Sequence, residues 1–232
     1  MPSMYEIYDH YATEYNRLVS AEDYQGNLSR HIIGLTDWAG KTVLETGVGT
    51  GRITDIYAHY AASITCTDRS THMLDAASRL LGPYAHKIRF LQADNLSLPR
   101  LNPKANLFIE GWSWGHSIVD EPESVSSICT TLLEGALANL TDNAMVIIVE
   151  TLGTNVTTPT PPHARLAEFY RTLEKTHGFN AEPIRTDYSF KTVEQAAEIM
   201  GFFFGSDVEK AITRNGTTVV PEWTGVWSRK GR

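Results

Sequence analysis

The most constraining feature of this 232-residue chain is Val43-Leu44-Glu45-Thr46-Gly47-Val48-Gly49-Thr50-Gly51-Arg52, an apolar run that ends in spaced glycines and leads into a helix-like segment. A buried strand, a glycine turn and a helix open a βαβ unit, because glycine lets the backbone bend tightly and approach a ligand. The alternation continues. Short apolar or β-branched runs at 63–68, 88–92, 107–112 and 144–150 are separated by stretches at 52–60, 71–80 and 123–140 whose apolar residues recur every three or four positions. Near-continuous apolar strands between helices predict a parallel sheet covered on both faces. Right-handed crossovers restrict it to a doubly wound, Rossmann-like α/β fold.

Two regions stand outside the alternation. Residues 1–35 read as two helices, and 151–163 is a Thr/Pro-rich connector with Pro159, Pro161 and Pro162, which predict an extended segment. The connector follows the carboxyl end of the fifth strand, where ligands of open α/β sheets bind. The two regions are therefore expected to form a partial lid, with packing on the sheet edges as the alternative. A helix at 165–177, a strand at 184–190, a helix at 193–213 and a strand at 217–228 complete the sheet. The expected organisation is one domain over 1–232. Its parts are an N-terminal helical cap at 1–35, a cofactor-binding core at 36–150, and a lid connector, substrate side and sheet completion at 151–232.

The acidic side chains number 27 against 20 basic ones, for a formal charge of −7, and no long Lys/Arg run occurs. That balance speaks against a large nucleic-acid footprint and favours a small-molecule partner. The only cysteines, Cys66 and Cys129, exclude a disulfide scaffold or a four-cysteine zinc site and fit a reducing compartment. The N-terminus has no signal-peptide pattern, and the longest strongly apolar run, 145–149, is too short to cross a bilayer. A cytoplasmic protein without membrane contact is expected.

Glycine spacing separates the cofactors that such a loop can hold. A dinucleotide fingerprint requires a third glycine where this chain has Arg52. Glu45, two residues before the first glycine, would also oppose a pyrophosphate. S-adenosylmethionine, with an ammonium, a sulfonium and a carboxylate, fits better. The second strand ends at Asp68, placed to accept both ribose hydroxyls, with capping of the helix near Ser70 as the alternative. Asp94 and Asn95 follow the third strand, where they can meet an adenine edge or simply make a turn.

The ordered set of Glu45 through Gly51, Asp68, Met73-Leu74, Asp94 and the polar-aromatic end of strand four resembles the class I S-adenosylmethionine-dependent methyltransferases, over about residues 8–150. Tyr8-Asp9-His10-Tyr11-Ala12-Thr13-Glu14-Tyr15-Asn16 is similar to a helix that precedes the sheet in small-molecule members, with Asn16 where aspartate is common. The resemblance implies a seven-stranded sheet in the order 3-2-1-4-5-7-6 with strand seven antiparallel. It implies that Glu45, Gly47, Gly49 and Gly51 hold the methionine part, with Tyr15 near its carboxylate. Asp68 would hold the ribose, Met73 one adenine face, and Asp94 with Asn95 the adenine edge.

Methyl transfer from a sulfonium is an in-line displacement, so alignment and exclusion of water dominate. The exit of strand four, Gly111-Trp112-Ser113-Trp114-Gly115-His116, supplies rings that can close over the cofactor, Trp112 first, or serve as core. His116 is the candidate general base for an oxygen, nitrogen or sulfur nucleophile, with loop ordering as the alternative. Glu110 is a second candidate base, with bonding to neighbouring backbone as the alternative. Glu150 at the end of strand five can face the substrate, and no acidic cluster suggests a metal site. The aromatics of 188–190 and 201–205 are expected in the core on the far side of the sheet, with roofing of the pocket as the alternative, and Trp223 with Trp227 is assigned to packing. The alternatives to a methyltransferase are a nicotinamide-dependent oxidoreductase and a non-catalytic S-adenosylmethionine-binding module.

Overall fold

The computed structural model describes residues 3–230. Its main sheet contains β1 (Thr42–Thr46), β2 (Ser63–Asp68), β3 (Ile88–Gln92), β4 (Ala105–Gly111), β5 (Leu140–Thr154), β6 (Asn180–Arg185) and β7 (Glu222–Lys230). The spatial order is β3-β2-β1-β4-β5-β7-β6. β7 runs antiparallel to both neighbours, β5 and β6, and the pairings among β1 to β5 are parallel. This is the Rossmann-like methyltransferase sheet that the resemblance implies.

Side-chain alternation along the central strands builds the two faces. Val43, Leu107, Ile109, Ile147 and Val149 point to one side, against α3 (Asn27–Gly34), α4 (Arg52–Tyr57) and α5 (Thr71–Leu80). Leu44, Phe108, Val146 and Ile148 point to the other, against α6 (Trp114–Asp120), α7 (Val125–Leu137) and α8 (Ala164–Lys175). Helix starts follow local chemistry. The Ser70 hydroxyl accepts the Met73 N–H at the head of α5, and Ser124 accepts Ser127 N–H at the head of α7.

A third apolar cluster lies away from the sheet. Ile7 of α1 (Met4–His10) and Leu18 of α2 (Ala12–Val19) pack with Tyr188, Phe190, Met200 and Phe203. Those aromatics therefore anchor the N-terminal helices, where far-side sheet core was the expectation. Trp227 is core as expected. It stacks on Tyr170 with centroids 4.3 Å apart and donates to Glu174.

Four boundaries differ from the sequence expectation. Residues 4–34 form three helices, because Tyr11 separates α1 from α2. The helix expected over 193–213 breaks at Gly205, whose φ of +91° ends α9 (Val193–Phe204) before α10 (Ser206–Asn215). The strand expected over 184–190 divides: β6 stops at Arg185, and Tyr188–Ser189 pairs instead with Val219–Val220 in a separate ribbon. The connector after residue 150 first prolongs β5 to Thr154 and then folds back, with Thr160 N–H donating to Leu152 at 2.5 Å.

Candidate active site

The turn after β1 is built on left-handed glycines, with φ of +65° at Gly47 and +54° at Gly49. A Cβ on Gly47 would lie 2.1 Å from Cβ of Ser113, so main chain and Ser113 meet where any larger residue is excluded. A Cβ on Gly49 would touch the Tyr15 ring at 3.4 Å. Asp68 ties the turn to β2: one carboxylate oxygen accepts Gly49 N–H at 2.9 Å and the other accepts Ser70 N–H at 2.9 Å. Burial raises the Asp68 pKa, against the pull of those two N–H groups.

These residues border a cleft at the carboxyl edge of the sheet, where ligands of open α/β sheets bind. Tyr5, Tyr8 and Tyr15 of the N-terminal helices line it from above, and Gly47, Gly49, Asp68, Asp94, Asn95, Trp112 and His116 line it from the sheet side. Asp94 also accepts Leu96 N–H at 2.8 Å, and Asn95 donates to the Ser113 hydroxyl at 3.2 Å. The pair therefore makes local hydrogen bonds and also borders the cleft. Burial pushes the Tyr15 phenol up to about 12.

Three expected cofactor residues do not reach the cleft. Glu45 shares a strand face with Val43, which turns its side chain into the interior, 1% exposed, against α4. There one carboxyl oxygen accepts hydroxyl hydrogens from Thr54 at 2.8 Å and Tyr57 at 2.5 Å. Burial raises Glu45 to about 7, partly offset by the two hydroxyls. It is a core hydrogen-bond centre, and its charge cannot serve as the argument against a pyrophosphate. Gly51 faces Leu81, whose Cδ1 would lie 2.6 Å from an added Cβ. Met73 is fully buried with Ala12 and Ala76, beneath Tyr8 and Tyr15, because its place on α5 faces the N-terminal cap.

Beyond β4 the backbone turns at Trp112, a non-glycine residue with φ of +52°. The Arg52 guanidinium covers one face of the Trp112 ring at 3.8 Å and makes two hydrogen bonds to Glu22, at 2.6 and 3.1 Å. Trp114, by contrast, is core against Phe108. Two buried carboxyls hold the start of α6. Glu110 accepts from Ser113 N–H and hydroxyl and from Trp114 N–H, and Glu150 accepts Gly115 N–H at 2.5 Å. Burial pushes Glu110 up to about 8. It raises Glu150 too, reinforced by the neighbouring Glu110.

His116 Nε2 lies 2.7 Å from the Tyr8 hydroxyl, and burial lowers its pKa. A second cavity, open to solvent, also borders this pair. Tyr8, Tyr15, Trp112 and His116 line both spaces, so they form a common wall. Thr151, Thr154 and Pro162 of the connector region border the second cavity, where a lid contribution was expected.

Tyr8 and the Arg52–Glu22 pair were not foreseen, whereas Glu110 bonds neighbouring backbone, the alternative to a base that its sequence position left open. Tyr8 stands in the N-terminal pattern similar to the family helix, which was the available signal. The other partners are brought together only by the fold, Arg52 and Glu22 from α4 and the segment after α2.

A sheet in this order, with an antiparallel seventh strand and a glycine-loop cleft at its carboxyl edge, defines the class I S-adenosylmethionine-dependent methyltransferase fold. Residues 43–135 match the family model of a methyltransferase domain. Residues 43–135 are thus similar to a methyltransferase domain, and the chain as a whole has the class I methyltransferase fold. No curated protein matches its sequence. Among solved structures, YcgJ from Bacillus subtilis has a TM-score of 0.61 at 13% identity, covering 90% of this chain and 99% of its own. YjhP from E. coli has a TM-score of 0.59 at 12% identity, covering 98% and 100%. The cyclase SpnF has a TM-score of 0.57 at 16% identity, covering 88% and 83%. At such identities the likeness is one of fold.

Proposed function

We propose that this protein transfers the methyl group of S-adenosylmethionine to an oxygen, nitrogen or sulfur atom of a small molecule. The observation that carries the reading is the common wall: a cleft on the glycine turn meets a second cavity at Tyr8, Tyr15, Trp112 and His116. In-line displacement needs two ligands meeting across one boundary.

The exposed main chain of Gly47 and Gly49, with Tyr15 beside it, supports a place for the methionine part. Asp68, still bordering the cleft, is assigned to the ribose, and Asp94 with Asn95 to the adenine edge. When bound, the cofactor supplies an electrophilic methyl on sulfur. The chain's own work is to align the acceptor, exclude water under the tyrosine cap, and receive a proton. Burial favours a neutral His116, whose imidazole can take a proton from the acceptor. Tyr8, bonded to Nε2, fixes the ring.

The sheet order also disfavours a nicotinamide cofactor, whose classic doubly wound sheet reads 3-2-1-4-5-6. A net charge of −7 supports a small metabolite over nucleic acid. Among the described residues no helix is long and apolar enough to cross a membrane, and Cys66 and Cys129 are free and buried, which supports a cytoplasmic setting. The test is thermal unfolding with S-adenosylhomocysteine beside NAD, followed by a search for acceptor-dependent release of S-adenosylhomocysteine. Stabilisation by the first compound alone, then turnover, is the expected outcome. Stabilisation by NAD alone would refute it.

A further inference from the structure

The cavity beyond the common wall has an uneven charge inventory. Among the described residues Arg52 is the only lysine or arginine lining it, and both terminal nitrogens are taken by Glu22 while Trp112 covers the guanidinium face. Glu150 and Glu222 also line the space, and neither has an ion-pair partner among the described residues. The two carboxyls are not equivalent. Glu150 is engaged by Gly115 N–H and holds the start of α6. Glu222, 2% exposed, has one oxygen accepting from the Thr151 hydroxyl at 3.2 Å. Its other oxygen is buried without a geometric hydrogen-bond partner. The rest of the wall is largely apolar or aromatic, including Leu18, Val119, Leu166, Phe204, Val208 and Tyr188.

We infer that this cavity selects an acceptor with an apolar body and a protonated amine, and that Glu222 supplies the counter-charge. The inference rests on the proposed methyl-transfer reading for the word acceptor, while the charge preference stands on the cavity itself. An acceptor carboxylate or phosphate would find the one guanidinium already paired with Glu22 and no other lysine or arginine among the described lining residues, an arrangement that disfavours anions. An ammonium would supply the missing partner for Glu222 among aromatic faces that also attract cations. Burial, and then the charge of Glu22, push Glu222 up to about 8, while the Thr154 and Thr151 hydroxyls and the Arg52 charge pull it the other way. The ammonium acts as an anchor. A protonated nitrogen has no lone pair, so the methylated atom is a second heteroatom at the Tyr8–His116 wall.

The test is calorimetric titration of the full chain, with and without S-adenosylhomocysteine, using phenethylamine, 2-phenylethanol and 3-phenylpropanoate as probes of one shape and three charges. The amine should bind about tenfold or more tighter than the alcohol, as expected for a hydrogen bond to a charged group, and the carboxylate should bind worst. Glu222→Gln should reduce the amine to the level of the alcohol and leave the alcohol and S-adenosylhomocysteine unaffected. Equal binding of amine and alcohol, preference for the carboxylate, no binding by any probe, or a folded Glu222→Gln that keeps amine preference would each overturn the inference. If that variant does not fold, the wild-type series decides alone. Loss of S-adenosylhomocysteine binding with amine preference intact would instead remove the methyl-donor reading and leave the charge selection standing.

Discussion

Glu45→Gln separates a core carboxyl from a cofactor ligand. In the folded chain the buried Glu45 titrates near 7, against an ordinary value of 4.5. A folded pKa above the unfolded one means that the native state favours the protonated form. Its contribution is complete below about pH 4.5 and is lost as pH rises through about 7. The difference corresponds to about 3 kcal/mol. Glutamine keeps an oxygen for the Thr54 and Tyr57 hydroxyls and cannot ionise. Urea unfolding of both proteins across this range should therefore show Glu45→Gln gaining about 3 kcal/mol on the wild type as the medium is taken to about pH 8. Taking the difference between the two proteins removes the parallel titrations of Glu110, Glu150 and Glu222. S-adenosylhomocysteine affinity should not change. A pH-independent difference in stability, or a tenfold loss of affinity, would refute the placement of Glu45 in the core.

Three further outcomes are expected. Gly47→Ala forces a Cβ to 2.1 Å from Ser113 at a φ of +65° and should cost roughly 2–4 kcal/mol in urea unfolding, together with cofactor affinity. Arg52→Ala leaves the Glu22 side chain, 4% exposed, without its partner and should cost roughly 3–5 kcal/mol, and the double change Glu22→Gln with Arg52→Met should cost less. The His116 ring, followed by NMR, should remain neutral until the pH is below its ordinary 6.5, so its contribution to stability is full above 6.5 and declines as pH falls. Titration above 6.5 would contradict the burial argument.

Much of the sheet was legible because its signals are local. β2, β3 and α5 coincide with the expected segments, and β1 and β4 depart from theirs by one or two residues at their ends. The order of the strands came from the family resemblance, since periodicity alone gives no neighbours. Glu45 was misplaced because position near a glycine loop was weighed above strand parity, which puts it with Val43 on the α4 face. Met73 and Gly51 failed in the same way, as neighbours in sequence that face packing partners. The wall of Tyr8 and His116 and the clasp of Arg52 on Glu22 were beyond reach. Each joins elements far apart in the chain, and no spacing rule encodes such a meeting.

The central claim is that the Gly47–Gly49 turn and Asp68 together form the methyl donor's seat. Titrating wild type and Asp68→Ala with S-adenosylhomocysteine during thermal unfolding tests it most directly. At about a hundred times the dissociation constant the wild type should gain about 2.7 kcal/mol, and the variant should lose most of that gain while remaining folded. An equal gain in both proteins, or none in the wild type, would contradict the account.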